Sequence, residues 1–124
     1  MRVVATDKAP PAAGPYSQAV VQNGTVYVSG QIPVDPSTGS MPEGAAAQAR
    51  QALKNLRNVI EASGSSMDKV LKVTVYLKDM GSFADVNAVY AEFFSKPYPA
   101  RSCVGCQDLP KGSLVEIDAV AYIG

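Results

Sequence analysis

The sequence predicts an α+β fold, a mixed sheet with two helices on one of its faces, and three observations predict it. Along the 124 residues the patterns run strands, helix, strand, helix, strands, the order of a split βαβ arrangement. Two segments alone carry the three- and four-residue apolar spacing of a helix. No internal repeat and no linker long enough to separate two units interrupts them, so residues 1–124 are taken as one domain.

Asn23-Gly24 stands between two short β-prone runs, Gln18 to Gln22 and Thr25 to Gly30, and predicts a tight hairpin. Pro33, Pro36 and Gly39 then mark a loop, because prolines and a glycine cannot continue a ladder. From about Gly44 to Ser63 a helix is expected: Ala49, Leu53, Leu56 and Ile60 share one side, opposite Arg50, Lys54 and Arg57. Gly64 supplies its stop at C′. A strand follows over Val70 to Lys78, with Leu71, Val73, Val75 and Leu77 on one face and Lys72, Thr74, Tyr76 and Lys78 on the other. Ser82 is the expected cap of a second helix, whose inner side carries Val86, Tyr90, Phe93 and Phe94 before Pro97 and Pro99 end it. Two last strands are expected at Ala100 to Val104 and Leu114 to Tyr122, parted by a turn over Asp108 to Gly112.

Two helices can cover one face of such a sheet, toward which Val115, Ile117, Ala119 and Ala121 should point. The other face would carry Thr74, Tyr76, Glu116, Val120 and Tyr122. That mixture is too apolar to be left wholly in water, so self-association through the open face is expected, with no symmetry specified by the pattern.

Composition narrows the chemistry. A hydrophobic content of 47 % suffices for a core without disulfide or metal staples. Eleven basic residues balance 11 acidic ones and are scattered, so the electrostatic footprint of a nucleic-acid binder is missing and RNA binding is disfavoured. No apolar run approaches the roughly 18 residues of a membrane helix and no leader pattern opens the chain. A soluble, cytoplasmic protein is expected, or a mitochondrial one if a leader has been removed. Histidine is absent, which removes the usual triad base and the commonest metal ligand. Chemistry must use carboxylates, Arg, Tyr, Cys, Ser or backbone groups, and neither cofactor nor metal is expected.

The most specific stretch is Tyr98-Pro99-Ala100-Arg101-Ser102-Cys103-Val104, followed after a turn by Val115-Glu116-Ile117. Proline fixes the strand's entry, so Arg101 projects from a rigid element, where a fork for a carboxylate or phosphate belongs. Taken alone, Arg101 reads more readily as the partner of a surface acid. Glu116 alternates with Val115 and Ile117 and should face the open side. If the two strands are neighbours, Arg101 and Glu116 form either a structural salt bridge or an anion-binding and acid/base pair. Cys103-Val104-Gly105-Cys106 matches C-x-x-C, but it ends a strand instead of opening a helix, and without His it offers zinc two ligands; two reduced, unpaired thiols are expected. Gly14-Pro15-Tyr16-Ser17-Gln18 and Ser29-Gly30-Gln31-Ile32-Pro33 are turn-rich, and glycine there permits close approach of a ligand. No Gly-rich strand-to-helix turn with a Lys follows Gly30, so nucleotide binding is not indicated.

Those two segments, with Gln48-Ala49-Arg50-Gln51-Ala52-Leu53, Val86-Asn87, Pro99-Ala100-Arg101-Ser102 and Val115-Glu116-Ile117, together resemble the Rid family, also called YjgF and formerly endoribonuclease L-PSP. The likeness runs collinearly from about Ala9 to Ile123. It implies a chorismate-mutase-like (bacillar) fold and a homotrimer with three clefts between subunits. It also implies hydrolysis of 2-imino acids, the enamine/imine products of pyridoxal-phosphate dehydratases, to 2-oxo acids and ammonia. By position, Arg101 would bind the substrate carboxylate, Glu116 would orient or activate water, the Cys103 backbone would meet the imine nitrogen, and Tyr16, Ser29, Gly30 and Asn87 would line the cleft. The rival readings are an endoribonuclease or translation inhibitor, and a non-catalytic ligand-binding or chaperone-like trimer. Cys106 is a local departure from the family's pattern.

Overall fold

A computed structural model describes residues 1–124. Its elements are β1 (Arg2–Val4), β2 (Ala19–Gln22), β3 (Thr25–Gln31), α1 (Ala45–Ala62), β4 (Val70–Leu77), α2 (Phe83–Phe93), β5 (Ala100–Gly105) and β6 (Val115–Tyr122). One mixed sheet is ordered β1-β2-β3-β6-β4-β5, with β4 and β5 parallel and every other pair antiparallel. Both β3 and β4 run antiparallel to β6, so α1 joins strands of like direction on either side of it, and α2 makes the crossover from β4 to parallel β5. This is the split βαβ plan the sequence predicts.

The Asn23-Gly24 turn is the hairpin expected, with φ of 52° and 75° at its two central residues. Helix α1 has neither Gly nor Pro inside it, and it ends where Gly64 takes φ 97°. There the Gly64 N–H donates to Glu61 O and the Ser65 N–H to Ile60 O, the paired bonds of a Schellman stop. Ala49, Ala52, Leu53, Leu56, Val59 and Ile60 bury one face of α1 against Val26, Val73, Val75, Val115, Ile117, Ala119 and Ala121 of the sheet in one continuous core. Helix α2 adds Val86, Val89 and Tyr90. The helices are tied outside the core by Arg50, whose guanidinium donates to both carboxylate oxygens of Glu92 at 2.7 and 2.9 Å, and by Arg57 lying over the Phe93 ring.

The structure corrects four expectations. β1 was not anticipated; it is three residues long and sits at the sheet edge. Leu71 is half exposed and Val70 buried, because a bulge between Val70 and Lys72 shifts the alternation before Val73, Val75 and Leu77 resume it. Ser82 stands at the first end of α2 without capping it; a short turn precedes the helix, and the Asp79 side chain accepts from Gly81 N instead. Finally, β5 and β6 are not neighbours, since β4 lies between them. The parallel crossover through α2 commits β5 to the outer side of β4 and leaves the inner side for β6.

Toward the side away from the helices the sheet presents Val20, Tyr27, Val120, Glu116, Asp118, Thr74, Tyr76 and Val104, a face of mixed apolar and acidic character with no second layer over it. Tyr27, Val104 and Tyr122 are among the large apolar side chains left exposed. No helix is long and apolar enough to cross a membrane.

Candidate functional site

The residues singled out from the sequence fall into two clusters, and within one chain these do not meet. The first forms where β3 meets β6. Val28 pairs with Ala119 and Gln31 with Ile117, so Ser29 and Gly30 together face Asp118 alone, a bulge that re-aims the strand. Glu116 lies over the bulge: a Cβ built on Gly30 would come within 2.8 Å of the Glu116 carboxylate carbon. Only glycine leaves that space open.

The turn bearing Tyr16 is held against this bulge by buried amide chemistry. Ser29 N donates to Gln18 O at 2.9 Å and Ser29 Oγ to Ser17 O at 2.6 Å. The Gln18 side chain is buried, donating to Thr6 O and Pro10 O while accepting from Thr6 N. Tyr16 and Gly30 thereby come to line one cleft of about 240 Å³, with Ile32, Val34 and Lys111 also on its walls. Lys111 carries a positive φ of 57° and was not anticipated; a lysine before a glycine in a turn gives no periodic signal.

Glu116 is partly buried and has no ion-pair partner. Burial pushes its carboxyl above the usual range, and the like charge of Asp118 pushes it further. Arg101 does not enter that balance.

The second cluster lies at the outer edge on the helix side. Arg101 is in register with buried Val73, whereas Glu116 is in register with Tyr76. The guanidinium and the carboxylate therefore project from opposite faces, with Cα atoms on the order of 14 Å apart from two strand spacings and three residues of offset. The expectation that adjacent strands set them side by side in one chain is overturned. Arg101 instead turns over α2, where its Nη1 donates to Asn87 Oδ1 at 2.7 Å. Its Cζ stands 4.7 Å from the Tyr90 ring centroid and 5.5 Å from that of Phe83. Phe83, Asn87 and Tyr90 follow at helical spacing along one stripe of α2; of these, Asn87 was expected in the cleft, Tyr90 read as core alone, and Phe83 was not anticipated.

No acid pairs with Arg101, so the surface ion pair allowed by the sequence is absent and the guanidinium keeps most of its N–H groups for a ligand. Beside it opens a pocket of about 450 Å³ lined by Asn87, Tyr90, Ala91, Tyr98, Pro99 and Arg101. Cys103 points to the same side of β5. Its thiol is pushed up by burial and pulled back by Arg101; burial prevails, which disfavours the thiolate. Cys103 and Cys106 are both unpaired. No group of three or more His, Cys, Asp or Glu side chains is placed to hold a metal ion.

Comparison with known proteins agrees with this plan over the full chain. The profile of the family described as endoribonuclease L-PSP matches residues 6–123. The human protein named 2-iminobutanoate/2-iminopropanoate deaminase is 48 % identical, the match covering 99 % of this chain and 90 % of that one. Among solved structures, Escherichia coli TdcF with bound serine superposes with a TM-score of 0.96 at 41 % identity, over 100 % of both chains. RidA from Psychrobacter sp. PAMC 21119 does so at 0.96 and 46 %, over 99 % of this chain and 100 % of that one.

Proposed function

The chain belongs to the endoribonuclease L-PSP family, also called YjgF or Rid, and on that premise we propose that it is a 2-iminobutanoate/2-iminopropanoate deaminase. The observation that carries the reading is Arg101: a guanidinium held in place by Asn87, unpaired by any acid, and facing a pocket. A planar fork so held suits the carboxylate of a 2-imino acid.

In this reading the protein is a single-domain homotrimer of the chorismate-mutase-like type, assembled through the open sheet faces, with a cytoplasmic location. Each cleft takes the Tyr16, Ser29, Gly30 and Glu116 cluster from one subunit and the Asn87, Arg101 and Cys103 cluster from the next. The division of the two clusters between opposite faces of one chain supports that arrangement, because neither half alone offers both an anion site and a carboxyl group. The uncovered tyrosines and valines of the sheet supply an apolar surface for the contact.

The chemistry asks little of the protein, since an imine carbon is already electrophilic. Arg101 fixes the substrate carboxylate, and ionised Glu116 accepts a proton from water as its oxygen attacks the C=N carbon. Glu116 returns that proton to the nitrogen, giving a carbinolamine; it then carries the hydroxyl proton to the amine as the C–N bond breaks, so that a 2-oxo acid and ammonia leave and Glu116 is ionised again. A carboxyl raised above its usual range is better matched to this exchange than a strongly acidic one. The backbone at Cys103 contacts the imine nitrogen region, and no cofactor takes part.

A dehydratase acting on threonine or serine supplies the imine in situ, and added protein should speed release of 2-oxobutanoate or pyruvate. Arg101→Lys keeps the charge and loses the fork, and should remove most of the acceleration; undiminished activity would refute the role given to Arg101. RNA cleavage, which the family's description evokes, gains no support from a chain of zero net charge and no histidine. Labelled RNA left intact under the same conditions closes that alternative.

A further inference from the structure

We infer that Tyr90 is a positioning residue for the anion-binding fork, setting with Phe83 the plane and reach of the Arg101 guanidinium; this rests on the role proposed for Arg101. A guanidinium on a strand of the sheet edge would ordinarily sweep through solvent among many rotamers. Here three side chains of one helix stripe constrain it. Asn87 fixes one nitrogen through a 2.7 Å bond. The faces of Tyr90, at 4.7 Å, and Phe83, at 5.5 Å, hold the planar cation by stacking and by the attraction of the ring quadrupole.

Tyr90 is suited to be the fixed member of the pair. It is buried, 6 % exposed, and Phe94 packs against its ring with centroids 4.6 Å apart, so the surface under Arg101 cannot swing away. Its hydroxyl is buried without a hydrogen-bond partner. The contact with Arg101 is made by the ring, so the hydroxyl is dispensable to the positioning and phenylalanine should serve in its place. A core residue chosen for volume alone would be replaced as well by leucine. The guanidinium distinguishes the two, because an aliphatic side chain offers no face to a cation.

The test is a series at two positions, Tyr90→Phe, Tyr90→Leu and Phe83→Leu, read by deaminase kinetics and by calorimetric binding of 2-oxobutanoate. Tyr90→Phe should stay within about twofold of the parent in KM and Kd. Tyr90→Leu and Phe83→Leu should each raise KM and Kd by about tenfold with a smaller change in kcat, as expected when a cation loses its aromatic support. A folded Tyr90→Leu with unchanged KM, or a Tyr90→Phe as impaired as Tyr90→Leu, overturns the inference. Should Tyr90→Leu fail to fold, Phe83→Leu, at a partly buried position, decides alone. Arg101→Lys in the same assays separates the two levels: if it binds 2-oxobutanoate as well as the parent, the function reading fails. If it does not, while the leucine variants do, only the positioning role fails.

Discussion

The Glu116 carboxylate occupies the place where residue 30 would put its side chain. A Cβ on Gly30 would lie 3.1 Å from Glu116 Cγ, 2.8 Å from Cδ and nearer still to Oε2. The glycine is thus required for the placement of an acid on another strand, and the requirement is steric.

Gly30→Ala should consequently spare the fold and damage the site. The group in the way is the end of a flexible side chain, which can rotate aside, whereas the β3–β6 ladder need not move. A melting temperature within a few degrees of the parent, with deaminase kcat/KM down at least about tenfold, is expected from a displacement on the order of 1 Å. Full activity in the alanine variant would mean that Glu116 tolerates another position.

Glu116 also sets a pH dependence whose sign follows from its surroundings. Burial and Asp118 raise its pKa in the folded chain. The fold therefore favours the protonated form, and the stability this gives is full below the unfolded value and is lost as pH rises through the folded one. Glu116→Gln, which cannot ionise, should melt progressively higher than the parent as pH climbs from about 4 to about 8. In activity, the acidic limb of the pH profile should lie above the ordinary carboxylate range. Asp118→Asn removes the like charge and should move that limb down, though not to the ordinary value, because burial is the larger cause. A limb unmoved by Asp118→Asn would assign it to another group.

The elements of this fold were legible where a local rule governs them. Asn23-Gly24 specifies its turn through positive φ, Gly64 its helix stop, and Val115, Ile117, Ala119 and Ala121 their face through a period of two. What escaped is set by pairing between distant segments. Leu71 turns outward because β4 bulges against β6, which its own alternation does not record. β1 exists through its pairing with β2. The site residues were legible as types and Glu116 faces the open side as its alternation indicates, but how far Arg101 lies from it depends on a strand order that composition does not encode. The buried amides that secure the loops were equally hidden, since Gln and Asn in a helix or strand read as surface.

Asn55 is the clearest of those amides and yields a stability prediction. It is fully buried in α1, and its Nδ2 donates to Ile32 O at 3.0 Å and Val34 O at 2.9 Å, fastening the 32–34 segment that walls the Tyr16 cleft. Asn55→Leu would keep the volume and strand two carbonyls, costing about 2–4 kcal/mol in chemical denaturation. A loss below about 0.5 kcal/mol would show that water or backbone rearrangement satisfies them.

The separation of the two clusters makes a prediction that neither point variant can make alone. Arg101→Ala and Glu116→Gln should each be inactive as homomers. If a cleft joins the Arg101 cluster of one subunit to the Glu116 cluster of its neighbour, unfolding and refolding the two together produces assemblies in which some clefts receive both native side chains. With equal amounts and random assembly, an intact guanidinium meets an intact carboxyl in about one cleft in four, so roughly a quarter of parental activity should return. Mixing without exchange of subunits should return none. If instead both groups served one chain's own site, every subunit would carry one defect and no mixture could recover. Restored turnover therefore requires that the guanidinium and the carboxyl come from different chains, the arrangement proposed from their placement on opposite faces of the sheet.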